Sequence, residues 1–208
     1  MHGGTFVLID GDLASLVACA MAREQSALAD GPTPSPVLGL AFPAMFDADP
    51  LRHKAIRAQA QTYAIELAVP VSVDVGGVHE RGEREAIELV AAAYEAIRRG
   101  CTRMFWPVSA AAGDNMDFDR IAQAADRALL AGRLVGLDAM LHGSPGLTIE
   151  TPLVDVTDRQ LADLAMDMDV PVEACWWWGG AGDHDPQAHQ ARARWMSSLA
   201  AVGWSGVA

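Results

Sequence analysis

Cysteine is scarce in this sequence, which contains only Cys19, Cys101 and Cys175, far apart along the chain. A secreted protein held together by disulfides would contain more cysteines, usually in an even number. The scarcity of cysteine therefore excludes a disulfide scaffold and favours a reducing compartment. We expect a cytoplasmic protein.

Basic residues are also few. The sequence has 15 Lys and Arg against 27 Asp and Glu, which gives a formal net charge of −12. Such an acidic chain repels the phosphate backbone of DNA and RNA. We therefore expect no direct nucleic-acid partner.

Long apolar runs are missing as well. The first apolar stretch, residues 6–9, lacks a basic flank and ends at Asp10, so it has the pattern of neither a signal peptide nor an anchor. No other window approaches the apolar length that spans a bilayer. We therefore expect no membrane partner.

The sequence does contain a large apolar fraction. Hydrophobic residues make up 51% of the 208 residues and charged residues only 20%. This composition excludes a disordered chain, and the length suits one packed core. We expect one α/β domain over residues 1–172 and a tail over residues 173–208 that packs on the same domain.

Strand and helix patterns alternate along the chain. Short apolar runs predict strands, and apolar residues that recur every three or four positions predict helices. The predicted strands cover residues 6–9, 37–42, 71–75, 104–108 and 146–150. The predicted helices cover residues 13–21, 50–68, 83–99, 118–130, 158–168 and 187–202. This alternation predicts a five-stranded parallel sheet between two helical layers, a three-layer α/β/α sandwich.

The edge of such a sheet indicates where a ligand would bind. Ligands lie beyond the carboxyl ends of the strands, where the strand order reverses. The turn after the first strand, from Asp10 to Ser15, is therefore the first candidate site. Ser109, Asp114 and Asp117 follow the fourth strand, so we expect them at the same edge as candidates for lining a pocket.

Three segments resemble a known family. Ile9-Asp10-Gly11-Asp12-Leu13-Ala14-Ser15 lies where PP-loop enzymes have Ser-Gly-Gly-x-Asp-Ser, and Gly11 and Ser15 match that loop. Arg52-His53-Lys54 is similar to the Gln-x-His helix of the 7-cyano-7-deazaguanine synthases, with His53 at the histidine. Thr151-Pro152-Leu153 and Trp178-Gly179-Gly180 resemble the segments that lead into the zinc lobe of those synthases. The chain thus resembles the PP-loop ATP pyrophosphatases of the HUP superfamily, and most closely the synthases of queuosine biosynthesis.

This resemblance implies a HUP-type, Rossmann-like fold, a homodimer, and a nucleotide held over the first turn. In the family, ATP adenylates a substrate carboxylate, and ammonia converts the adenylate first into an amide and then, with more ATP, into a nitrile. The residues that the resemblance places at the nucleotide are Asp10, Gly11, Asp12, Ser15 and His53.

Three positions of the phosphate-binding loop are altered. Asp10 replaces the first Ser, Asp12 replaces the second Gly, and Ala14 replaces the Asp. Two carboxylates would then stand where a polyphosphate rests and would repel it. A bound Mg²⁺ would reverse that repulsion, because carboxylates are its usual ligands. ATP and Mg²⁺ therefore stay open as cofactors.

The zinc site of the family is altered too. Structural zinc sites need four nitrogen or sulfur ligands, so zinc is not expected here. The positions that correspond to the four family cysteines are Trp176, Pro186, His189 and Arg192. A rearranged site is the open alternative, and its candidate ligands are Cys175, His184, Asp185 and His189.

Each candidate residue also has a purely structural interpretation. Asp10 and Asp12 suit a tight turn before a helix, with Asp12 as its N-cap. His53 is equally compatible with a surface or capping role. The run Trp176-Trp177-Trp178 could stack on a purine, and the alternative is that it fills the core and a subunit contact.

Three hypotheses about function follow. In the first, which we favour, a diverged PP-loop protein binds a small molecule such as an adenine nucleotide, or acts in assembly, without cleaving ATP. In the second, Asp10 and Asp12 hold Mg²⁺ and the chain is an ATP-dependent carbon–nitrogen ligase. In the third, the tryptophans bind a partner chain such as a second copy. No residue spacing identifies a catalytic residue.

Overall fold

A five-stranded parallel sheet forms the centre of the fold. The computed structural model of the chain describes residues 3–28, 35–41, 50–68, 81–178 and 185–205. The strands are β1 (Gly4–Ile9), β2 (Val37–Ala41), β3 (Glu66–Ala68), β4 (Cys101–Phe105), β5 (Ala111–Ala112), β6 (Asn115–Met116) and β7 (Thr148–Glu150). The sheet has the order β3-β2-β1-β4-β7 with every neighbouring pair parallel, while β5 and β6 form a separate antiparallel pair.

Helices cover both faces of this sheet. They are α1 (Leu13–Leu28), α2 (Pro50–Thr62), α3 (Arg81–Arg98), α4 (Phe118–Leu141), α5 (Asp158–Asp167) and α6 (Pro186–Ala201), and a 3₁₀ turn spans Val172–Ala174. Side chains of a strand point alternately to its two faces. Val7 and Ile9 accordingly pack with residues of α1, α2, α5 and α6, whereas Phe6 and Leu8 pack with residues of α3 and α4. The predicted three-layer α/β/α sandwich is confirmed.

The helix predicted over residues 50–68 ends earlier than the sequence indicates. It ends at Thr62, and Glu66–Ala68 forms β3. Ala64 has a φ of +49°, and the N–H of Ile65 donates to the carbonyl of Ala60 at 2.8 Å, which is the usual geometry of a helix C-terminus. Glycine normally occupies the left-handed position, so an alanine there leaves no signal in the sequence. The strand predicted over residues 71–75 lies outside the described residues.

Two further elements differ from the predictions. The helix predicted over 118–130 continues to Leu141, because a buried stripe of Ala124, Ala128, Ala131, Val135 and Ala139 extends along its whole length. Alanine differs little in hydrophobicity from the polar residues around it, so the second half of the helix could not be recognised from its apolar pattern. The strand predicted over 104–108 begins at Cys101 instead, where Arg103 forms an ion pair at 2.8 Å with Glu150 of β7.

The tail shares the core of the sheet. Trp177, Trp195 and Leu199 belong to the same buried cluster as Val7 and Ile9. The division into residues 1–172 and 173–208 stays a prediction. No helix in the described ranges has the length and apolar character needed to cross a lipid bilayer.

Candidate functional site

A cavity of about 540 Å³ opens at the carboxyl ends of β1 and β4. Asp10, which follows β1, and Trp106 and Ser109, which follow β4, contribute to its walls. The strand order reverses between β1 and β4, so this is the switch point where open α/β sheets bind ligands. The cavity lies where the sequence predicted a site.

The turn between β1 and α1 supplies two carboxylates to the cavity wall. Asp10 Oδ1 accepts a hydrogen bond from the N–H of Asp12 at 2.9 Å. Asp12 Oδ1 accepts from the N–H of Leu13 at 2.8 Å and from the indole N–H of Trp177 at 2.7 Å. Free N–H groups at the start of a helix attract phosphate. Two of these N–H groups are here already bonded to carboxylates of the turn itself.

The carboxyl group of Asp12 is held in an unfavourable environment for its charge. Burial raises its pKa above the ordinary value of 3.8, and the nearby Asp10 raises it further. The hydrogen bonds from Leu13 and Trp177 and the charge of Arg52 oppose that shift. Burial prevails, because it removes the water that would otherwise solvate the anion.

Replacing Asp12 by asparagine is expected to stabilise the folded chain near neutral pH by on the order of 1 kcal/mol. Above the ordinary pKa of 3.8, folded Asp12 retains protons that the unfolded chain has lost, so its contribution to stability falls as pH rises through that range. The asparagine Oδ1 keeps both acceptor roles and carries no charge. Urea unfolding between pH about 4 and 7 measures the effect. Asp114→Asn, at an exposed position, is the control, and an unchanged pH slope in Asp12→Asn would contradict the prediction.

Gly11 and Ser15, the two positions that match the PP-loop, face the protein interior. Gly11 has a φ of +82°, and its carbonyl accepts from the N–H of Trp176 at 3.0 Å. The Ser15 hydroxyl is fully buried and lies 2.8 Å from Oε1 of Gln59 on α2. The Nε2 of Gln59 donates in turn to the carbonyl of Asp12 at 3.1 Å. Neither Gly11 nor Ser15 is among the described residues that line the cavity.

Gln59 was not among the predicted site residues, although the sequence contains a signal for it. It is a fully buried amide on the inner face of α2, beside Ala55, Ile56 and Ala60. An amide among apolar residues on a core-facing stripe must have hydrogen-bond partners. In this fold the amide fastens the candidate turn to the helix beside it.

His53 lies in α2 and is half-buried, away from the described walls of the cavity. Its neighbour Arg52 does reach the cavity. The Arg52 guanidinium lies 3.9 Å from the ring centre of Trp176 and donates to the carbonyl of Asp10 at 3.4 Å. The residue of this segment that lines the cavity is Arg52, and the role of His53 at a nucleotide stays a prediction.

Three other arginines line the cavity, from helices that are far apart in sequence: Arg84 of α3, Arg120 of α4 and Arg194 of α6. Arg84 forms an ion pair with Glu88 at 3.6 Å. Arg120 is exposed. No spacing within one segment could have indicated this group, because only the fold brings these helices together.

Arg194 is fixed by Asp158, the first residue of α5. Its Nε donates to Asp158 Oδ2 at 2.5 Å, its Nη2 donates to Asp158 Oδ1, and these bonds raise the pKa of Arg194. Asp158 is 1% exposed, and its Oδ2 also accepts from the N–H of Gly113 at 2.9 Å. The same arginine donates to the carbonyl of Ala111 at 3.3 Å. This network ties α5, α6 and the β5–β6 hairpin together beside the cavity.

Of the three residues predicted to line a pocket after the fourth strand, one lies at the cavity and two do not. Ser109 lines the cavity. Asp117 is instead the N-cap of α4, where its carboxylate accepts from the N–H of Arg120 at 3.1 Å. Asp114 is exposed and, like Asp117, does not appear among the described lining residues.

The described residues offer no assembled metal site, since they contain no group of three or more His, Cys, Asp or Glu side chains that could hold an ion. Asp10 and Asp12 each use Oδ1 in hydrogen bonds of the turn, so Oδ2 of each would be the atom that holds an ion such as Mg²⁺. Cys175 is buried, and its burial raises the pKa of the thiol well above the ordinary value. Asp185 caps α6, and His184 lies outside the described residues. The expectation about zinc stays a prediction.

The three tail tryptophans pack within the protein. Trp176 and Trp177 are buried in the core, and Trp178 makes edge-to-face contacts with the rings of Trp177 and Trp204. None of the three is among the described lining residues of the cavity. Trp176 and Trp177 therefore fill the core, as one of the two interpretations of the sequence expects. The subunit contact stays a prediction.

Comparison with known proteins identifies the fold. No family model and no curated protein matches the sequence. The U34-tRNA thiolase NcsA from Methanococcus maripaludis, solved with its [4Fe-4S] cluster, aligns with a TM-score of 0.51 at 12% identity, over 97% of this chain and 70% of the thiolase chain. The NMN synthetase from Francisella tularensis aligns with a TM-score of 0.47 at 12% identity, over 100% of this chain and 90% of the synthetase chain. At this identity the likeness to the thiolase shows a shared α/β fold, the one predicted for a PP-loop or HUP protein, and nothing finer.

Proposed function

We propose that this chain binds a small anionic ligand of adenine-nucleotide size in the cavity between β1 and β4, and that it does not split ATP into AMP and pyrophosphate. The observation that carries the proposal is the occupation of the first turn. The N–H groups of Asp12 and Leu13, which would hold a pyrophosphate in a PP-loop, are bonded to the carboxylates of Asp10 and Asp12. The carboxylates of the turn thus occupy the N–H donors that a bound phosphate would use.

Arginines line other walls of the cavity, beside the carboxylates of Glu85 and Glu88. Arg84, Arg120 and Arg194 reach it from α3, α4 and α6. The planar guanidinium group recognises phosphate and carboxylate through paired hydrogen bonds. Arg84 and Arg194 already form ion pairs with Glu88 and Asp158, so the ligand's anionic group lies toward Arg120 and away from the turn.

The size of the cavity supports a ligand as large as a nucleotide. A volume of about 540 Å³ falls within the range of small-molecule sites in proteins. Trp106 and Trp195 also line the cavity, where they are buried and contribute apolar edges to its wall. Ligand binding without ATP cleavage is thus the function best supported by this site.

Calorimetric titration with AMP, ATP and adenosine, each with and without Mg²⁺, tests this proposal. We expect AMP to bind in the micromolar range without Mg²⁺, adenosine to bind more weakly, and ATP to remain intact on chromatography. Arg120→Ala should weaken AMP binding about tenfold, a change of about 1.4 kcal/mol. Arg133→Ala is the matched control, because Arg133 is an exposed arginine of the same helix that does not line the cavity. Absence of AMP binding, or release of AMP and pyrophosphate from ATP, would overturn the proposal.

The second candidate function is ATP-dependent formation of an amide or nitrile, of the queuosine type. One observation favours it: Asp10 and Asp12 both face the cavity, as carboxylates that support ATP chemistry would. AMP release that requires Mg²⁺ and disappears in Asp10→Ala would support this candidate against the first.

A further inference from the structure

Helix α4 exposes most of the large apolar side chains found on the described surface. Seven of the nine exposed large hydrophobic residues there belong to this helix. Six of them fall within one segment, residues 129–141, and they are between 47% and 81% exposed. They are Leu129, Leu130, Leu134, Leu137, Met140 and Leu141. Contiguous apolar patches of this kind mark interaction sites.

Four of these residues form a regular seam. Leu130, Leu134, Leu137 and Leu141 follow one another at steps of four, three and four, which is the repeat of a helix that packs against another helix. The opposite side of α4 already packs on the protein through a small-residue stripe that includes Ala131 and Val135. The seam is therefore a second apolar face, about 16 Å long, in addition to the face that the fold uses.

We infer that this seam, residues 130–141 of α4, binds the same seam of a second copy of the chain in a two-fold symmetric dimer. A two-fold axis that crosses the helix between Leu134 and Leu137 places Leu134 of one copy against Leu137 of the other. The same axis places Leu130 against Leu141. The spacing of the four leucines is thus complementary to itself in an antiparallel pair, as a two-fold interface requires.

Charge explains how two acidic chains meet at this surface. The whole sequence carries a formal charge of −12. Among the exposed positions of residues 129–141, only Arg133 and Asp138 are ionisable, and their charges cancel. Asp138 also accepts a hydrogen bond from the hydroxyl of Tyr94 on α3. The seam is therefore locally neutral although the whole chain is acidic. Electrostatic repulsion between two copies is weakest when they associate through this strip.

The area of the patch suits a dimer of standard size. The four seam leucines, together with the adjacent Leu129 and Met140, present roughly 500 Å² of apolar surface per copy, against roughly 800 Å² of total surface per partner in a standard interface. The polar rim beside the seam supplies the rest, as in most interfaces.

Light scattering and sedimentation of the full chain test the inference. We expect the wild type to have twice the mass of one chain and Leu137→Asp to have the mass of one chain with an unchanged circular dichroism spectrum. Leu28→Asp is the matched control, because Leu28 is exposed on α1 away from the seam, and it should remain dimeric. A monomeric wild type would overturn the inference, whether or not its seam then captures another protein or a lipid vesicle. A Leu137→Asp variant that remains dimeric would overturn it as well.

Cysteine cross-linking tests the antiparallel arrangement. An equimolar mixture of Leu134→Cys and Leu137→Cys should form a mixed disulfide on mild oxidation, and each variant alone should form severalfold less covalent dimer. The native cysteines are buried and should not interfere. Equal cross-linking of Leu137→Cys with itself would indicate parallel helices and overturn the pairing.

Discussion

Replacement of Arg194 by alanine is expected to lower the free energy of unfolding by about 3 kcal/mol, the lower end of the range for breaking a buried ion pair. The loss is large because Asp158 is 1% exposed and would keep only the N–H of Gly113 among its described side-chain hydrogen-bond partners. The value is at the low end because the Arg194 side chain itself is 39% exposed, so water already screens part of the pair. Arg194→Ala should therefore unfold at a clearly lower urea concentration than the wild type.

A double-mutant cycle separates the ion pair from simple truncation. The double variant Asp158→Ala with Arg194→Ala should lose much less stability than the sum of the two single variants, because it leaves no unpaired charge. Arg120→Ala, which removes an exposed arginine from the lining of the same cavity, should change stability by less than about 0.5 kcal/mol. A loss below about 1 kcal/mol in Arg194→Ala would show that the network adds little to stability.

Truncation of Trp177 to alanine should cost about 4 kcal/mol, within the usual range for removing a buried tryptophan. Trp177 is 1% exposed in the main core cluster, so the truncation leaves a large cavity. It also removes the indole N–H that donates to Asp12. Both losses act on the segment that supports the candidate turn.

Trp177→Phe distinguishes the two contributions. Phenylalanine keeps much of the apolar volume but cannot donate to Asp12, so we expect a smaller loss of about 1–2 kcal/mol. Trp204→Ala is the matched control, since Trp204 is only half-buried and makes its ring contact with Trp178. Equal losses in Trp177→Ala and Trp204→Ala, measured by urea unfolding, would contradict the assignment of Trp177 to the core.

The parallel sheet was predictable from the sequence because strands buried on both faces appear as short apolar runs, and β1 and β2 are such runs. The end of α2 could not be predicted, because Ala64 occupies the left-handed position at which a glycine would have marked the end of a helix. Asp10 and Asp12 could be placed at the site from their position after the first strand. The partner of Ser15 could not be predicted, since its hydroxyl bonds to Gln59, 44 positions away. Contacts at such separations become visible only once the chain is folded.

The contacts between the first turn and the tail have a consequence for synthesis of the chain. The N–H of Trp176 donates to the carbonyl of Gly11, and the indole of Trp177 donates to Asp12, 165 residues earlier. A ribosome adding roughly 5–20 residues per second makes the turn roughly 8 to 33 seconds before these tryptophans. During that interval the nascent chain contains the residues of β1 and α1 but not the tryptophans that contact the turn, so the candidate site is one of the last parts of the domain to be completed.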